Sequence, residues 1–165
     1  PVHCEAPPGV VLVPVETTQE MLDASMAASD DADIFIGAAA VVDFRPESVA
    51  TQKIKREGST TMDLKLVSNP DIIASIAARQ VRPSLVVGFA AETNDVTTYA
   101  RNKLKKKRLD FIFANDVSDS AIGFNSDSNA GTLISADNDI TMALSSKRVL
   151  AETMITELAK HLPET

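Results

Sequence analysis

Short, wholly apolar runs alternate along this chain with segments of helical periodicity, and that alternation constrains the fold more than any other feature. Asp33 to Val42 reads DIFIGAAAVV, Leu85 to Ala90 reads LVVGFA and Phe111 to Ala114 reads FIFA. A strand that is apolar at every position has no face to give to water, so it belongs in a sheet covered on both sides. Val10 to Val15 (VVLVPV) has the same character, with Pro14 weakening its far end. Asp63 to Val67 alternates and reads as a half-exposed strand, and Thr132 to Ser135 can pair with Ile140 to Leu144 as a hairpin.

Helix starts fall between these runs. Thr17 or Thr18 can cap a helix through Ser29. Asn69-Pro70-Asp71 opens a second, to about Gln80, with Asn as cap, Pro at the first helical position and Asp complementing the dipole. Asn94 or Asp95 starts a third that ends near Lys107. The last runs from Ser146 to about Leu162, with Ala151, Ile155, Leu158, Ala159 and Leu162 at helical spacing. Residues 1–9, 43–51, 52–62 and 118–129 read as loops. The expectation is an open, mostly parallel, Rossmann-like α/β sheet with helices on both faces and a flap or hairpin segment. A chain of 165 residues is enough for one such domain, spanning 1–165.

Composition removes several functions. Sixteen Lys and Arg stand against twenty-three Asp and Glu, a formal charge of -7, so the chain is a poor general binder of polyanions. It has no Trp and one Tyr, too few for stacking along single-stranded nucleic acid. The single Cys4 permits no internal disulfide, and two His, at positions 3 and 161, make a His-based metal site hard to build. No apolar run reaches the length of a membrane span, and a reducing cytoplasm is the simplest setting. The chain opens at Pro1 with no signal-like segment, which reads as a piece cut from something longer.

Ligands of open α/β sheets bind outside the carboxyl ends of the strands. Three such ends carry notable residues: Gly37 to Asp43, Gly88 to Thr93 and Ala114 to Asp116. Gly37, Ala38, Ala39 and Ala40 would let a ligand approach backbone N–H groups, with Asp43 as acceptor for a base or sugar; a tightly packed strand followed by an ordinary loop Asp is the alternative. Lys53-Ile54-Lys55-Arg56 is either a cationic loop that closes over phosphate or a solvated surface. In the run Arg101 to Arg108, a period of about 100° per residue puts Lys103 and Lys107 within roughly 20° of apolar Val96, and Lys105 opposite. Two lysines on the inward edge fit one phosphate chain, or snorkelling from the core margin. Asn69 to Ile72 offers a helix N-terminus, a weak anion signal, and Asn115-Asp116 a polar cluster that also makes a good turn. No Walker, dinucleotide-fingerprint, nucleophile-elbow or zincin motif occurs.

Together GAAAVVDFR (37–45), KIKR (53–56), NPDI (69–72), VGFAAET (87–93), KLKKK (103–107) and ANDVS (114–118) occur in this order. The set resembles the phosphopantothenoylcysteine synthetase domain of the bacterial bifunctional coenzyme A biosynthesis protein. The resemblance implies CTP-dependent ligation of 4′-phosphopantothenate to L-cysteine through an acyl-cytidylate, with magnesium or a similar divalent ion. It implies a homodimer formed through this domain and a neighbouring decarboxylase domain that carries FMN. By position, Gly37, Ala38, Ala39 and Ala40 match the backbone lining the nucleotide, Asp43 its recognition residue, and Lys53 the flap lysine at the phosphates. Pro70, Asp71, Ile72 and Ile73 match the helix start at CTP, Phe89 the aromatic beside it, and Lys103 and Lys107 the two ligand-directed lysines. The family's Gly-rich turn and Asn-bearing segment have no counterpart here, so the alternative is a CTP- or CMP-binding domain without turnover. A nucleic-acid reading of the Lys103 to Arg108 run is opposed by the net charge and by the inward phase of the lysines.

Overall fold

The computed structural model describes residues 6–56, 58, 60–92, 95–116 and 126–163. Expectations at Cys4, His3, Thr93, Asn94, Val117 and Ser118 lie outside that range. The elements in chain order are α1 (Thr18–Ala28), β1 (Ile34–Gly37), β2 (Phe44–Pro46), β3 (Leu66–Ser68), α2 (Ile72–Ala77) and β4 (Leu85–Glu92). Then come α3 (Val96–Lys107), β5 (Phe111–Asp116), β6 (Ser128–Ile134), β7 (Asp139–Ser146) and α4 (Lys147–Ala159).

The five-stranded sheet has the order β1-β4-β5-β6-β7. β1, β4 and β5 are parallel, and the hairpin β6–β7 adds two antiparallel strands. Alternation on the parallel strands feeds two cores. Val86, Ala90, Ile112 and Ala114 meet Ile76 and Ala77 of α2 and Ala100 and Leu104 of α3, with Met26 of α1 beside them. Leu85, Val87, Phe111 and Phe113 face the other way and meet Leu150, Met154 and Leu158 of α4. The expected α/β sheet with helices on both faces is present. β2 and β3 form a separate antiparallel pair. Among the described residues no helix is long and apolar enough to cross a membrane.

Five expectations need correction. The run Asp33 to Val42 is a strand only over Ile34–Gly37, and residues 38–42 leave the sheet and are exposed. Val10 to Val15 is not a buried strand: Val10, Val11, Leu12, Val13 and Val15 are 38–86% exposed, and no described strand pairs with them. An apolar run wants burial, but only a ladder makes it a strand, and among the described residues the outer edge of β1 stays unpaired. The 43–51 loop contains β2, stapled to 68–69 by side-chain and backbone hydrogen bonds. The second helix is capped by Asp71, whose carboxylate accepts the Ala74 N–H, and its last helical residue is Ala77. Asn69 is committed elsewhere: its Nδ2 donates to Val42 O at 2.8 Å and its Oδ1 accepts from Arg45 at 3.1 Å. In α4 the buried residues are Leu150, Met154 and Leu158, while Ala151 and Ile155 face out. Both stripes are helical in period, and the sheet's large residues select the bulkier one.

Candidate functional site

The carboxyl ends of β1, β4 and β5 lie on one side of the sheet, and two cavities open there. The larger, of about 400 Å³, is lined by Met21 and Ser25 of α1, the end of β1, residues 38–39 and 41–43, residues 69–73 and Lys107. The smaller, of about 250 Å³, is lined by Ala38, Ala39, Ala40, Phe89, Ala91, Asn115, Asn129 and Lys147. Ala38 and Ala39 belong to both walls.

Local sequence explains how these walls are held. Gly37 pairs with Gly88 across β1 and β4. A Cβ on Gly37 would sit 2.9 Å from Ile73 Cδ1. The glycine therefore lets α2 dock close to the strand end, bringing residues 70–73 to the cavity. Its packing role is thus direct. Asp43 is placed by the staple across its flanks: Asn69 N–H donates to Asp43 O at 2.8 Å, Asn69 Nδ2 to Val42 O, and Arg45 to Ser68 O at 2.8 Å. The Asp43 residue is exposed and lines the larger cavity.

The lysine phase argument holds in the structure. Lys103 and Lys107 are half-buried, while Lys105 and Lys106 are exposed. Lys107 reaches from the last turn of α3 to Asp71, Nζ to Oδ2, at 2.9 Å. Asp71 thus serves two partners, the Ala74 N–H through Oδ1 and the ammonium through Oδ2. One of the N–H groups that a bare helix start would offer an anion, that of Ala74, is already used by this carboxylate.

Not every expected residue converges. Gly37, Ala38, Ala39, Asp43, Pro70, Asp71, Ile72, Ile73 and Lys107 surround the larger cavity. Ala40 and Phe89 line only the smaller one, where the Phe89 ring lies 5.4 Å from Phe113. Lys53 is exposed between β2 and β3 and lines neither cavity, and Lys103 also lines neither. Met21, Ser25, Asn129 and Lys147 line the cavities without having been singled out from the sequence. Asn115, read as part of a polar turn, is buried at 6% exposure and donates to Asn129 Oδ1 at 3.4 Å. Among the described residues no group of three His, Cys, Asp or Glu side chains converges as a metal site.

Comparison with known proteins supplies the family. The profile of the DNA/pantothenate metabolism flavoprotein C-terminal domain matches residues 1–162. The chain belongs to this family. The chain is 50% identical to the "Coenzyme A biosynthesis bifunctional protein CoaBC" of Vibrio parahaemolyticus, over 92% of the chain and 38% of the relative. It is 44% identical to the protein of that name in Escherichia coli, over 99% of the chain and 41% of the relative. The chain thus spans about 40% of the length of these curated relatives. A crystal structure of the C-terminal domain of a CoaBC protein superposes with a TM-score of 0.77 at 29% identity, covering 97% of this chain and 72% of that one. The resemblance seen in the ordered motifs is borne out at the level of the family and fold.

Proposed function

We propose that this domain carries out the ligase half of coenzyme A biosynthesis, joining 4′-phosphopantothenate to L-cysteine at the expense of CTP. The acid's carboxylate oxygen attacks the α-phosphorus of CTP; a P–O bond forms, the bond to the bridging oxygen breaks, and pyrophosphate leaves. The cysteine amine then attacks the acyl carbon of the acyl-cytidylate, CMP departs with its oxygen, and the amine gives up a proton. Such steps need alignment and charge neutralisation more than covalent help.

The observation that carries the reading is the shared wall at Ala38 and Ala39, which sets two compartments edge to edge at the strand ends. The larger suits the nucleotide, with Asp43 as acceptor and Lys107 as phosphate partner. The smaller suits the acid. Lys53 closes onto the phosphates from the segment between β2 and β3, and Lys103 adds charge from α3. Pro70, Ile72 and Ile73 pack against the nucleoside. Asp43 and Asp71 are the carboxylates that line the larger cavity, and they would hold a divalent ion such as magnesium there, with the remaining ligands from substrate and water. It would neutralise charge on the leaving pyrophosphate.

The reading includes a cytoplasmic setting, an FMN-dependent decarboxylase domain in the longer protein, and a homodimer. Val42, Phe44, Leu64 and Leu66, all more than half exposed on and around the β2–β3 pair, support a second copy as their cover. Pyrophosphate release that requires both CTP and 4′-phosphopantothenate, followed by CMP release on adding cysteine, is the expected result. The edge of β1 left without a strand among the described residues favours a second reading, nucleotide binding without turnover by these residues alone. Binding with no pyrophosphate release would select it, and no binding of CTP would overturn both.

A further inference from the structure

The smaller cavity holds one cation that the sequence motifs do not name. Lys147 is the first residue of α4, a 13-residue helix with no acidic residue in its first turn. Cations are disfavoured at a helix N-terminus, and the two found there behave differently. Arg148 answers Glu152 at 3.0 Å. Lys147 makes no ion pair among the described residues and lines the cavity instead. Its backbone is fixed: the Lys147 N–H donates to Asp127 O at 2.9 Å, and Ser146 pairs with Ser128 across β7 and β6. Asn115, which is buried, and Asn129 line the same cavity, with Ala38 and Ala39 as the wall shared with the larger one.

We infer that Lys147 is a substrate-binding residue of the second compartment, and that its ammonium takes an anionic oxygen of the acid substrate while the two asparagines face its amide-rich body. The inference rests on the ligase reading above and adds to it the residue that selects an anionic acceptor. Lys147 is exposed, and among the described residues no carboxylate pairs with it, so its ammonium is available to an oxyanion of a ligand in the cavity. A carboxylate and a phosphate share that chemistry.

Calorimetry on the full chain, titrating CTP with magnesium and, separately, 4′-phosphopantothenate, tests this in wild type, Lys147→Ala and Lys147→Arg. The alanine variant is expected to bind the acid about tenfold more weakly, with CTP affinity unchanged, and the arginine variant to recover most of the loss. Unphosphorylated pantothenate separates the sources. A loss that persists with it assigns the contact to the carboxylate, and a loss that vanishes assigns it to the phosphate. Equal affinity of wild type and Lys147→Ala for the acid, or no binding of the acid to a wild type that binds CTP, overturns the assignment. Failure of wild type to bind CTP strikes the ligase reading instead.

Discussion

Asp71 shows how much one side chain carries in this molecule. Its carboxylate caps α2 and holds Lys107 in the same geometry. The two roles separate by substitution. Asn is as good a cap as Asp but carries no charge. Asp71→Asn should therefore keep the stability of the chain within about 0.5 kcal/mol, since a partly exposed ion pair adds little. Asp71→Ala should lose about 1 kcal/mol in urea unfolding, the usual cost of a missing cap. Equal losses from both would show that the ion pair, and not the cap, matters. The lysines of α3 were legible in the sequence because a helical period assigns Lys107 to the inner edge whatever it touches there. The cap was not: Asn69 and Asp71 are both good capping residues, and only the fold shows Asn69 already committed to Val42 and Arg45. Lys147 left a fainter trace, a cation at the wrong end of a helix, which gains meaning once the cavity beside it is seen.

At the scale of elements, close approach and phase decide what each segment tolerates. A Cβ on Gly131 would meet Ala114 O and Phe113 Cζ, each at 2.5 Å, whereas one on Gly37 meets the movable end of Ile73. Gly131→Ala should therefore destabilise by about 3 kcal/mol and Gly37→Ala by about 1 kcal/mol, with Ile73→Val rescuing only the second in denaturant melts. Helix α4 offers the matching test of register. Leu158 is fully buried and Ile155 is 46% exposed, so truncation to Ala should cost about 3 kcal/mol at the first and under about 1 kcal/mol at the second. Period alone could not choose between the two stripes, because apolar residues recur on both. Helix α1 has a capping box, in which the N–H groups of Glu16 and Thr17 donate to the Glu20 carboxylate and hold its pKa below the ordinary value. That depressed value makes the contribution full above the ordinary carboxylate range and lost as pH falls through the folded pKa. The amide shifts of Glu16 and Thr17 in an NMR titration should follow Glu20 at a pH below 4.5; a midpoint above it would remove the box.

For the whole molecule, the arrangement of layers was readable because buried parallel strands announce themselves: LVVGFA and FIFA became adjacent strands with helices on both faces. Val10 to Val15 carried the same signal and stayed exposed, since apolar character states a preference while pairing depends on which strands are at hand. The site followed the same rule. Residues tied to strand ends, from Gly37 to Asp43, came together around the cavities, but Lys53, on the exposed stretch between β2 and β3, did not. Under the proposed function, the larger cavity, with Lys107 at its wall, is a nucleotide site specific for CTP. Calorimetry of the chain with CTP and with ATP, in the presence of magnesium and alongside Lys107→Ala, tests it most directly. CTP should bind in preference to ATP, about tenfold more weakly in the variant by loss of a charge-assisted contact. Equal binding of both nucleotides, or CTP affinity untouched by Lys107→Ala, would contradict it.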